Sequence, residues 1–299
     1  MNNILVIGSV NLDLVFSVDQ FVKAGETIHS HKMDTFMGGK GLNQSIALAR
    51  AYPQVFLAAN IGSNDAGLMA TIRDFKVDPT FIETVNEPTG MAFIQVNAQG
   101  QNCIVLNSGA NAAFTPERFR HILKHFQSGD TLVLQNEING LAELIMMASE
   151  HGLNVAFNPS PFTPSILKLP LNQLDTLIVN EIEGEALSGS ADPKTILKTL
   201  EERYPTTRIV VTLGEHGVIA AHEGQHYHVE ALKVKAIDTT AAGDTFLGFF
   251  LGSLAEGHSM HDALKTAVTA AAITVTRHGA SSSIPTLQEV RAYGDAHHD

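Results

Sequence analysis

The chain has 299 residues, of which 44% are hydrophobic and 17% are charged, so it is long enough for one large α/β domain and too apolar for a disordered chain. Its net charge of −12 arises from 19 basic and 31 acidic residues without a Lys/Arg cluster, which argues against nucleic acid as a partner. Apolar runs are far shorter than the roughly 20 residues that span a bilayer, and no signal segment precedes the first predicted strand. We therefore expect no membrane association and a cytoplasmic protein.

Short β-rich runs alternate with longer stretches of helical period along most of the chain. Strands are predicted at residues 4–8, 55–61, 131–135, 154–158, 176–180 and 208–213. Helices are predicted at residues 41–51, 65–75, 116–127, 141–151 and 194–203, and again after residue 242. Strands that are apolar throughout and separated by helices predict an α/β fold with a mainly parallel central sheet and helices on both faces.

Two regions, residues 12–35 and 88–107, interrupt this alternation because they lack a helical period. The second contains two alternating runs around Ala98-Gln99-Gly100, which is the pattern of a β-hairpin. We expect both regions to form a small β-sheet lid inserted into a single α/β domain over residues 1–299. Cys103, the one cysteine, alternates with apolar neighbours in "QNCIVLN" and is predicted to be half-buried on a strand.

The motifs of several common enzyme classes are missing from the sequence. It contains no G-x-x-x-x-G-K-[ST] loop, so a P-loop is excluded. The first predicted strand ends in "GSVNLD" rather than in G-x-G-x-x-G, which disfavours the usual nicotinamide and flavin enzymes. His222, His226 and His228 fall in a polar stretch, where a solvated turn is favoured over a metal site.

The stretch "DTTAAGDTF" (238–246) runs into a predicted helix near Gly243. Backbone N–H groups of Ala241, Ala242 and Gly243 would then face outward at the positive end of the helix dipole, which suits phosphate oxygens. A carboxylate at Asp244 would repel an anion. Its presence is explained either by a base that takes a proton from an attacking hydroxyl group or by an ordinary helix cap.

The stretch "MGGKGLNQ" (37–44) is a second glycine turn before a helix, and it carries Lys40 and Asn43. Asn11 and Asp13 follow the first strand in "GSVNLD". Ligands of open α/β sheets bind at the carboxyl ends of the strands, so we expect these side chains to lie near one another. Amides and carboxylates together suit a ligand with neighbouring hydroxyl groups, although each residue alone is also a common turn former.

Two further polar stretches follow predicted strands. In "NEIEGE" (180–185), Asn180 and Glu183 share one face of a helical turn, where they would either order a hydrated Mg²⁺ or cap the start of the helix. In "TLGEHG" (212–217), Thr212 and Gly214 would border a nucleotide. This last pattern is a weak signal by itself.

Together these stretches resemble the two signature regions of the ribokinase family of carbohydrate kinases, also called the PfkB family. The similarity extends over essentially the whole chain, and "TGMAFI" (89–94), "NSGAN" (107–111), "NPSP" (158–161) and "VTRHGASSSIP" (275–285) match in order. The resemblance implies ATP-dependent transfer of a γ-phosphoryl group to the primary hydroxyl group of a sugar. The acceptor implied most directly is D-ribose, with ribose 5-phosphate as the product.

The resemblance also implies roles for individual residues. Asp244 would be the general base, and Ala241, Ala242 and Gly243 would form the anion hole. The implied sugar-binding residues are Asn11, Asp13, Gly39, Lys40, Gly41, Asn43, Glu137 and Asp244. The implied ATP-binding residues are Asn180, Thr212, Gly214, Gly217, Gly243 and Val268. Glu183 would help to hold Mg²⁺, and a loop for K⁺ would comprise Asp238, Thr240, Thr274, Arg277, Gly279 and Ser283, several of them through backbone carbonyls.

Family resemblance further implies that the lid covers the sugar and pairs with the lid of a second copy in a homodimer. Gln101, Asn136 and Val268 depart from residue types that are common in the family, which bears on the choice of sugar. Alternative acceptors are deoxyribose, another pentose, a ketohexose or a nucleoside. A sugar- or nucleotide-binding regulator without catalytic activity on the same scaffold is a further alternative.

Overall fold

The computed structural model of the chain describes residues 2–297, so Met1 and residues 298–299 of the expected domain lie outside the described residues. The strands in chain order are β1 (Ile4–Ile7), β2 (Asn11–Ser17), β3 (Lys32–Gly38), β4 (Val55–Gly62), β5 (Asp78–Val85), β6 (Gly90–Val96), β7 (Asn102–Asn107), β8 (Thr131–Gln135), β9 (Asn154–Asn158), β10 (Thr176–Asn180), β11 (Arg208–Thr212), β12 (Val218–His222) and β13 (Gln225–Val229). The α-helices are α1 (Lys40–Ala51), α2 (Leu68–Asp74), α3 (Pro116–Leu123), α4 (Leu141–Glu150), α5 (Glu181–Ser188), α6 (Pro193–Arg203), α7 (Ala242–Ala255), α8 (Met260–Thr274) and α9 (Leu287–His297). Among the described residues, none of these helices is both long and apolar enough to cross a bilayer.

The larger sheet has nine strands in the order β13-β12-β11-β10-β9-β8-β1-β4-β5. Strands from β11 to β5 pair in parallel, and β12 and β13 add an antiparallel edge. The predicted α/β class with a mainly parallel central sheet is therefore confirmed. Parallel pairing brings the carboxyl ends of these strands to one edge, where the polar loops of the sequence follow them.

Apolar side chains cover both faces of this sheet. On β1, Ile4 and Val6 belong to one buried cluster, whereas Leu5 and Ile7 belong to the other. The alternation follows from the two-residue period of a strand. The first cluster includes side chains of α1, α7 and α8, and the second includes side chains of α3, α4 and α6.

Most predicted elements are found within one residue of their predicted limits, and two helices differ more. The helix predicted at 65–75 begins only at Leu68, because Ser63–Asp65 first forms a turn of 3-10 helix. The helix predicted at 116–127 starts at its Thr115 cap as expected but ends at Leu123. There the Phe126 N–H donates to the Leu123 carbonyl over three residues rather than four, which closes the last turn.

The smaller sheet has the strand order β3-β2-β6-β7 and corresponds to the two regions without helical period. Strands β2 and β3 extend slightly beyond the first predicted region, residues 12–35, because β2 starts at Asn11 and β3 ends at Gly38. The prediction of a half-buried Cys103 is wrong. Cys103 is exposed, since β7 is an edge strand and all six of its residues are exposed.

Helices α1 and α7 approach each other closely because α7 has glycine at the contact. A Cβ atom at Gly248 would overlap the backbone and side chain of Ala47, and one at Gly252 would overlap the side chain of Ala51. Each helix begins at a different glycine-rich loop, α1 in "MGGKGLNQ" and α7 in "DTTAAGDTF". Their close packing therefore brings the two loops together.

We predict that Gly248→Ala lowers the free energy of unfolding by about 1–3 kcal/mol, because the added methyl group must push α1 and α7 apart. Gly67→Ala is the matched control, since Gly67 has a helical φ of −61° and no atom within 4 Å of an added Cβ. It should change stability by less than about 0.5 kcal/mol. Urea unfolding measures both values, and equal effects of the two substitutions would contradict the packing described for α7.

Candidate active site

Asp244 lies in the first turn of α7 and is only 6% exposed. Gln44 Nε2 donates a hydrogen bond of 2.9 Å to Asp244 Oδ1. Asn43 Nδ2 donates a longer one of 3.3 Å to Asp244 Oδ2. Both donors stand near the start of α1, in the loop "MGGKGLNQ". The two glycine-rich stretches, about two hundred residues apart in the sequence, thus meet at the carboxylate of Asp244.

The start of α7 is suited to an anion. Ala241 has the left-handed conformation, with φ of 58°, and α7 begins at the next residue. The first N–H groups of an α-helix have no acceptor within the helix, and the helix dipole adds positive potential there. Of the three predicted donors, the Ala242 N–H already donates to the Thr239 carbonyl at 3.3 Å, whereas Gly243 is exposed. Gly243 is therefore the most open of the three to a ligand.

Lys40 is the cation at this site. The nearby carboxylate of Asp244 raises the pKa of Lys40 above its ordinary value; burial acts in the opposite direction, and Glu137 and Glu183 raise it further. Lys40 is therefore charged at neutral pH and lies in the field of three carboxylates. One ammonium group among several carboxylates leaves the site negative, and an added cation would offset that charge.

Glu137 holds the glycine turn before α1 through hydrogen bonds of its carboxylate. Its carboxylate accepts hydrogen bonds from the Ser9 hydroxyl group and, at 3.0 Å, from the Lys40 N–H. Ser9 in turn accepts from the Gly41 N–H at 3.2 Å and, through its carbonyl, from the Leu42 N–H at 2.9 Å. A side chain at Gly41 would overlap the backbone of Ser9, which explains glycine at this position.

Asn11 and Asp13 lie on β2, where the chain enters the lid. Asn11 is buried, and its Oδ1 accepts a hydrogen bond of 2.7 Å from Asn111 Nδ2, so its own amide nitrogen stays available. Burial raises the pKa of Asp13 to about 6, and the neighbouring Glu137 adds to the effect. A side chain at Gly38 would overlap the carboxylate of Asp13. The structure thus brings together the polar side chains predicted to bind a polyhydroxylated ligand.

Four of the residues predicted to bind a nucleotide, Asn180, Thr212, Gly214 and Gly217, lie at or just beyond the carboxyl ends of β10 and β11, which are neighbours in the sheet. Asn180 and Glu183 form a capping box: Asn180 Oδ1 accepts from the Glu183 N–H at 2.8 Å, and Glu183 Oε2 accepts from the Asn180 N–H at 3.0 Å. Burial raises the pKa of Glu183 more than the hydrogen bonds from Asn180 and Ser160 lower it. The cap, one of the two explanations offered for this pair, is present.

Thr212, Gly214 and Gly217 lie at the carboxyl end of β11 as predicted. The Thr212 hydroxyl group donates to the Val179 carbonyl at 3.3 Å. Gly214 and Gly217 have positive φ values of 54° and 87°, which glycine adopts readily. Val268 differs from the others, because it is only 6% exposed and packs in the apolar cluster of α7 and α8. Its remaining surface allows no more than an edge contact with a base.

The residues predicted for K⁺ lie in two adjoining segments, the loop before α7 and the end of α8 with the loop that follows it. Asp238 joins them, since its Oδ1 accepts from the Thr240 N–H at 2.9 Å and its Oδ2 accepts from the Gly279 N–H at 3.0 Å. Burial raises the pKa of Asp238, but a hydrogen bond from the Thr240 side chain and those from the Gly279 and Thr240 N–H groups, with the nearby His278, together lower it below its ordinary value. The side chains of Thr274, Arg277 and Ser283 bond to Thr245, Glu289 and the Ala280 carbonyl, respectively. Arg277 could therefore serve a cation only through its backbone carbonyl.

Sequence reasoning missed several polar residues of the site. Ser9, Gln44 and Asn111 are buried, and each bonds to a residue that had been selected. All three stand inside the stretches "GSVNLD", "GGKGLNQ" and "NSGAN". Their position beside a selected residue was the available signal. Gln135 was missed as well, because it ends a strand that otherwise reads as apolar core.

A comparison with known proteins agrees with this geometry. The family model described as "pfkB family carbohydrate kinase" matches residues 1–287. The chain belongs to the pfkB family of carbohydrate kinases. A ribokinase of Staphylococcus aureus (strain COL) is 37% identical to it over 97% of this chain and 98% of the relative.

Solved structures of the pfkB fold extend the match. A crystal structure of a ribokinase from Thermotoga maritima superposes with a TM-score of 0.87 at 35% identity, over 99% of this chain and 100% of the other. A structure of Arabidopsis thaliana ribokinase complexed with ribose and ATP superposes with a TM-score of 0.86 at 27% identity, over 98% of each chain. The predicted fold, with its lid sheet, is therefore that of this family.

We predict that the Asp13 carboxyl group titrates with a pKa of about 6 in the free protein. In Glu137→Gln the pKa should fall, because one neighbouring negative charge is removed. It should stay above the ordinary value of 3.8, since burial is the larger cause. Carbon-13 NMR of labelled carboxyl groups measures this, with Glu143→Gln at an exposed position of α4 as the control that leaves Asp13 unchanged. A titration of Asp13 near 3.8 would contradict the described burial.

Proposed function

We propose that the protein is an ATP-dependent kinase that transfers the γ-phosphoryl group to the primary hydroxyl group of a sugar, converting D-ribose into ribose 5-phosphate. The observation that carries the proposal is the pair of hydrogen bonds from Asn43 and Gln44 to Asp244, which places an acceptor-binding loop against a base at an anion-binding helix start. The similarity to ribokinases from two bacteria, and to one solved with ribose and ATP, supports ribose as the acceptor.

The sugar lies between the lid and the carboxyl edge of the large sheet in this proposal. Its hydroxyl groups bond to amides, carboxylates, one ammonium group and backbone N–H groups, which together offer both donors and acceptors. These groups belong to Asn11, Asp13, Gly39, Lys40, Gly41, Asn43 and Glu137. A pKa of about 6 leaves most of the Asp13 carboxyl group ionised at neutral pH. In this form it would accept hydrogen bonds from two hydroxyl groups of the sugar.

Asp244 acts as the general base. The primary hydroxyl group gives its proton to the carboxylate of Asp244 while its oxygen forms a bond to the γ-phosphorus. The bond from the γ-phosphorus to the bridging oxygen breaks, and the electron pair leaves on ADP. N–H groups at Ala241, Ala242 and Gly243, of which Gly243 is the most open, stabilise the charge on the transferring phosphoryl oxygens, because fixed donors need little reorganisation. Lys40 offsets the charge of the carboxylates around the reacting atoms.

The nucleotide lies along the ends of β10 and β11 in this proposal, beside Asn180, Thr212, Gly214 and Gly217, with Val268 at the edge of the base. When bound, Mg²⁺ would neutralise part of the charge of the phosphates. One carboxylate oxygen of Glu183 already caps α5. A Mg²⁺ ion beside Glu183 would therefore be held through water, and Mg²⁺ commonly keeps several of its waters in proteins.

A monovalent cation, K⁺, is proposed between the two loops that Asp238 joins. Its ligands would be carboxylate and carbonyl oxygens, which suit a hard cation. They belong to Asp238, Thr240, Thr274, Arg277, Gly279 and Ser283. The carbonyl of Val275 also accepts from the Ile237 N–H at 2.7 Å, so the same loops already hold the start of the anion-binding segment.

For Asp244→Asn we predict a loss of at least about 10²-fold in kcat with ribose and Mg-ATP, with a modest change in KM, since general-base catalysis contributes about that factor. The matched control is Asp74→Asn at the exposed end of α2, which should keep wild-type kcat. ADP release measures turnover. Wild-type kcat in Asp244→Asn would remove the base from the proposal, and no wild-type turnover on ribose would remove the acceptor.

The lid also supports a homodimer. Its sheet exposes apolar side chains on both faces, and β7 leaves one edge unpaired within the described chain. The exposed apolar residues are Met33, Phe36, Phe93, Ile104, Val105 and Leu106, with Val105 the most exposed at 63%. Such a patch on a thin sheet is typical of a protein interface, and a second lid of the same kind would cover it.

We predict that the double substitution Ile104→Lys and Leu106→Lys converts a dimer into a monomer in sedimentation velocity. These two residues lie two apart on β7 and so share one face, where added charges would be buried against a partner. Leu167→Lys is the control, because Leu167 is 56% exposed outside the lid. A double variant that stays dimeric, or a wild-type protein that is monomeric at every concentration, would contradict a dimer through the lid.

A further inference from the structure

A chain of buried amides lies directly beneath Asp244. Gln44 and Gln135 are both fully buried, and Gln135 Nε2 donates to Gln44 Oε1 at 2.7 Å. Gln44 Nε2 donates to Asp244 Oδ1 at 2.9 Å and to Asn158 Oδ1 at 3.3 Å. The three hydrogen bonds use the oxygen and both N–H groups of the Gln44 amide. None of these amides is among the residues assigned above to sugar, nucleotide or cation.

The direction of the Gln44 amide is determined from two sides. Asn158 Nδ2 donates to the Ile178 carbonyl at 3.0 Å, which turns its Oδ1 toward Gln44. A reversed Gln44 would place its oxygen against the oxygens of Asn158 and Asp244 and its nitrogen against the nitrogen of Gln135. With Gln135 as donor, only one of the two orientations of Gln44 satisfies all three hydrogen bonds, and it presents N–H to Asp244.

Gln135 donates to Gln44 while its own side-chain oxygen lacks a hydrogen bond. Its Oε1 is buried without a partner in the described structure, and an unpaired buried acceptor destabilises the folded state. A Cβ atom at Gly8 would overlap the Gln135 amide, so glycine at the end of β1 provides the space for it. Leucine or methionine at position 135 would avoid the unpaired oxygen. The amide that is present instead directs Gln44.

The two oxygens of Asp244 are held unequally. Oδ1 accepts the shorter bond from a fully buried amide whose direction is set by Gln135 and Asn158. Among residues 2–297, Oδ2 accepts a hydrogen bond from Asn43 alone, at 3.3 Å. Asn43 belongs to the proposed sugar-binding loop, so an arriving hydroxyl group can replace it as the donor to Oδ2.

We infer that Gln44 is a positioning residue for phosphoryl transfer: it anchors Oδ1 of Asp244 so that Oδ2 takes the proton of the acceptor hydroxyl group. Gln135 and Asn158 act one step further away, by holding the Gln44 amide in the donating orientation. This inference rests on the proposed function, in which Asp244 is the base. It specifies which oxygen of Asp244 takes the proton and which buried residues orient that carboxylate.

The first test compares Gln44→Met and Gln135→Met, which keep the side-chain length and remove the amide. Gln44→Met should lower kcat about tenfold or more with the sugar KM within about twofold, because misaiming a general base removes part of its contribution of about 10²- to 10⁴-fold. Gln135→Met should lower kcat by a smaller factor. Gln173→Met, which breaks a hydrogen bond with Ser149 far from the site, is the matched control and should keep wild-type kcat.

The pH profile separates positioning from general damage. Gln44→Met loses a donor that stabilises the ionised carboxylate, so the acidic limb of its kcat profile should move to higher pH. A merely structural defect would lower kcat equally at all pH values. The inference is overturned if kcat of Gln44→Met stays within twofold of wild type, or if the loss lies in KM alone with an unchanged profile.

A second measurement does not depend on turnover. In a double-mutant cycle of Gln44→Met and Asp244→Ala, the unfolding equilibrium constant of the double variant should depart at least about threefold from the product of the single effects, since the two side chains share a hydrogen bond. Additive effects would overturn the inference. Gln135→Met replaces Gln44→Met in the cycle if the latter fails to fold.

The two measurements distinguish the failures. If the wild-type protein phosphorylates no acceptor, the proposed function fails. Coupling in the cycle would then show that the amide chain has a structural role only, which also overturns the positioning role of Gln44. If the wild-type protein is active and the cycle shows coupling, but both methionine variants keep wild-type kcat and pH profile, only the positioning role fails.

Discussion

The close contact between α1 and α7 is the constraint on which the site depends. Gly248 and Gly252 let the two helices approach until the starts of both lie side by side. Each helix begins at a glycine-rich loop, so their contact brings Asn43 and Gln44 within hydrogen-bonding distance of Asp244. The parallel sheet then adds polar groups from the carboxyl ends of neighbouring strands at the same edge.

Charge at this edge explains the cations that the proposal includes. Lys40 is surrounded by Asp244, Glu137 and Glu183, and burial raises the pKa of both Asp13 and Glu183. A nucleotide would bring further negative charge into the same space. Binding ATP beside these carboxylates therefore requires added positive charge, which the helix start of α7 supplies only in part.

The sequence predicted the large sheet and the small lid sheet, because hydrophobic period is a local signal. That the two glycine-rich loops serve one site was implied by the family resemblance rather than by local patterns. The sequence could not predict the exposure of Cys103, which depends on β7 being an edge strand with no layer packed over it. Nor could it reveal the chain from Gln135 through Gln44 to Asp244, since these residues are far apart in sequence and two of them read as neutral amides. The capping box at Asn180 was foreseen only as one of two alternatives.

Phosphorus-31 NMR of a reaction with D-ribose and Mg-ATP tests the central claim most directly, because it shows where the phosphoryl group goes. The account predicts a growing phosphomonoester signal split into a triplet by the two protons of a primary carbon, with ADP formed in equal amount. Inorganic phosphate alone, or a doublet from a secondary or anomeric position, would contradict an acceptor hydroxyl group aligned between Asp244 and the γ-phosphorus.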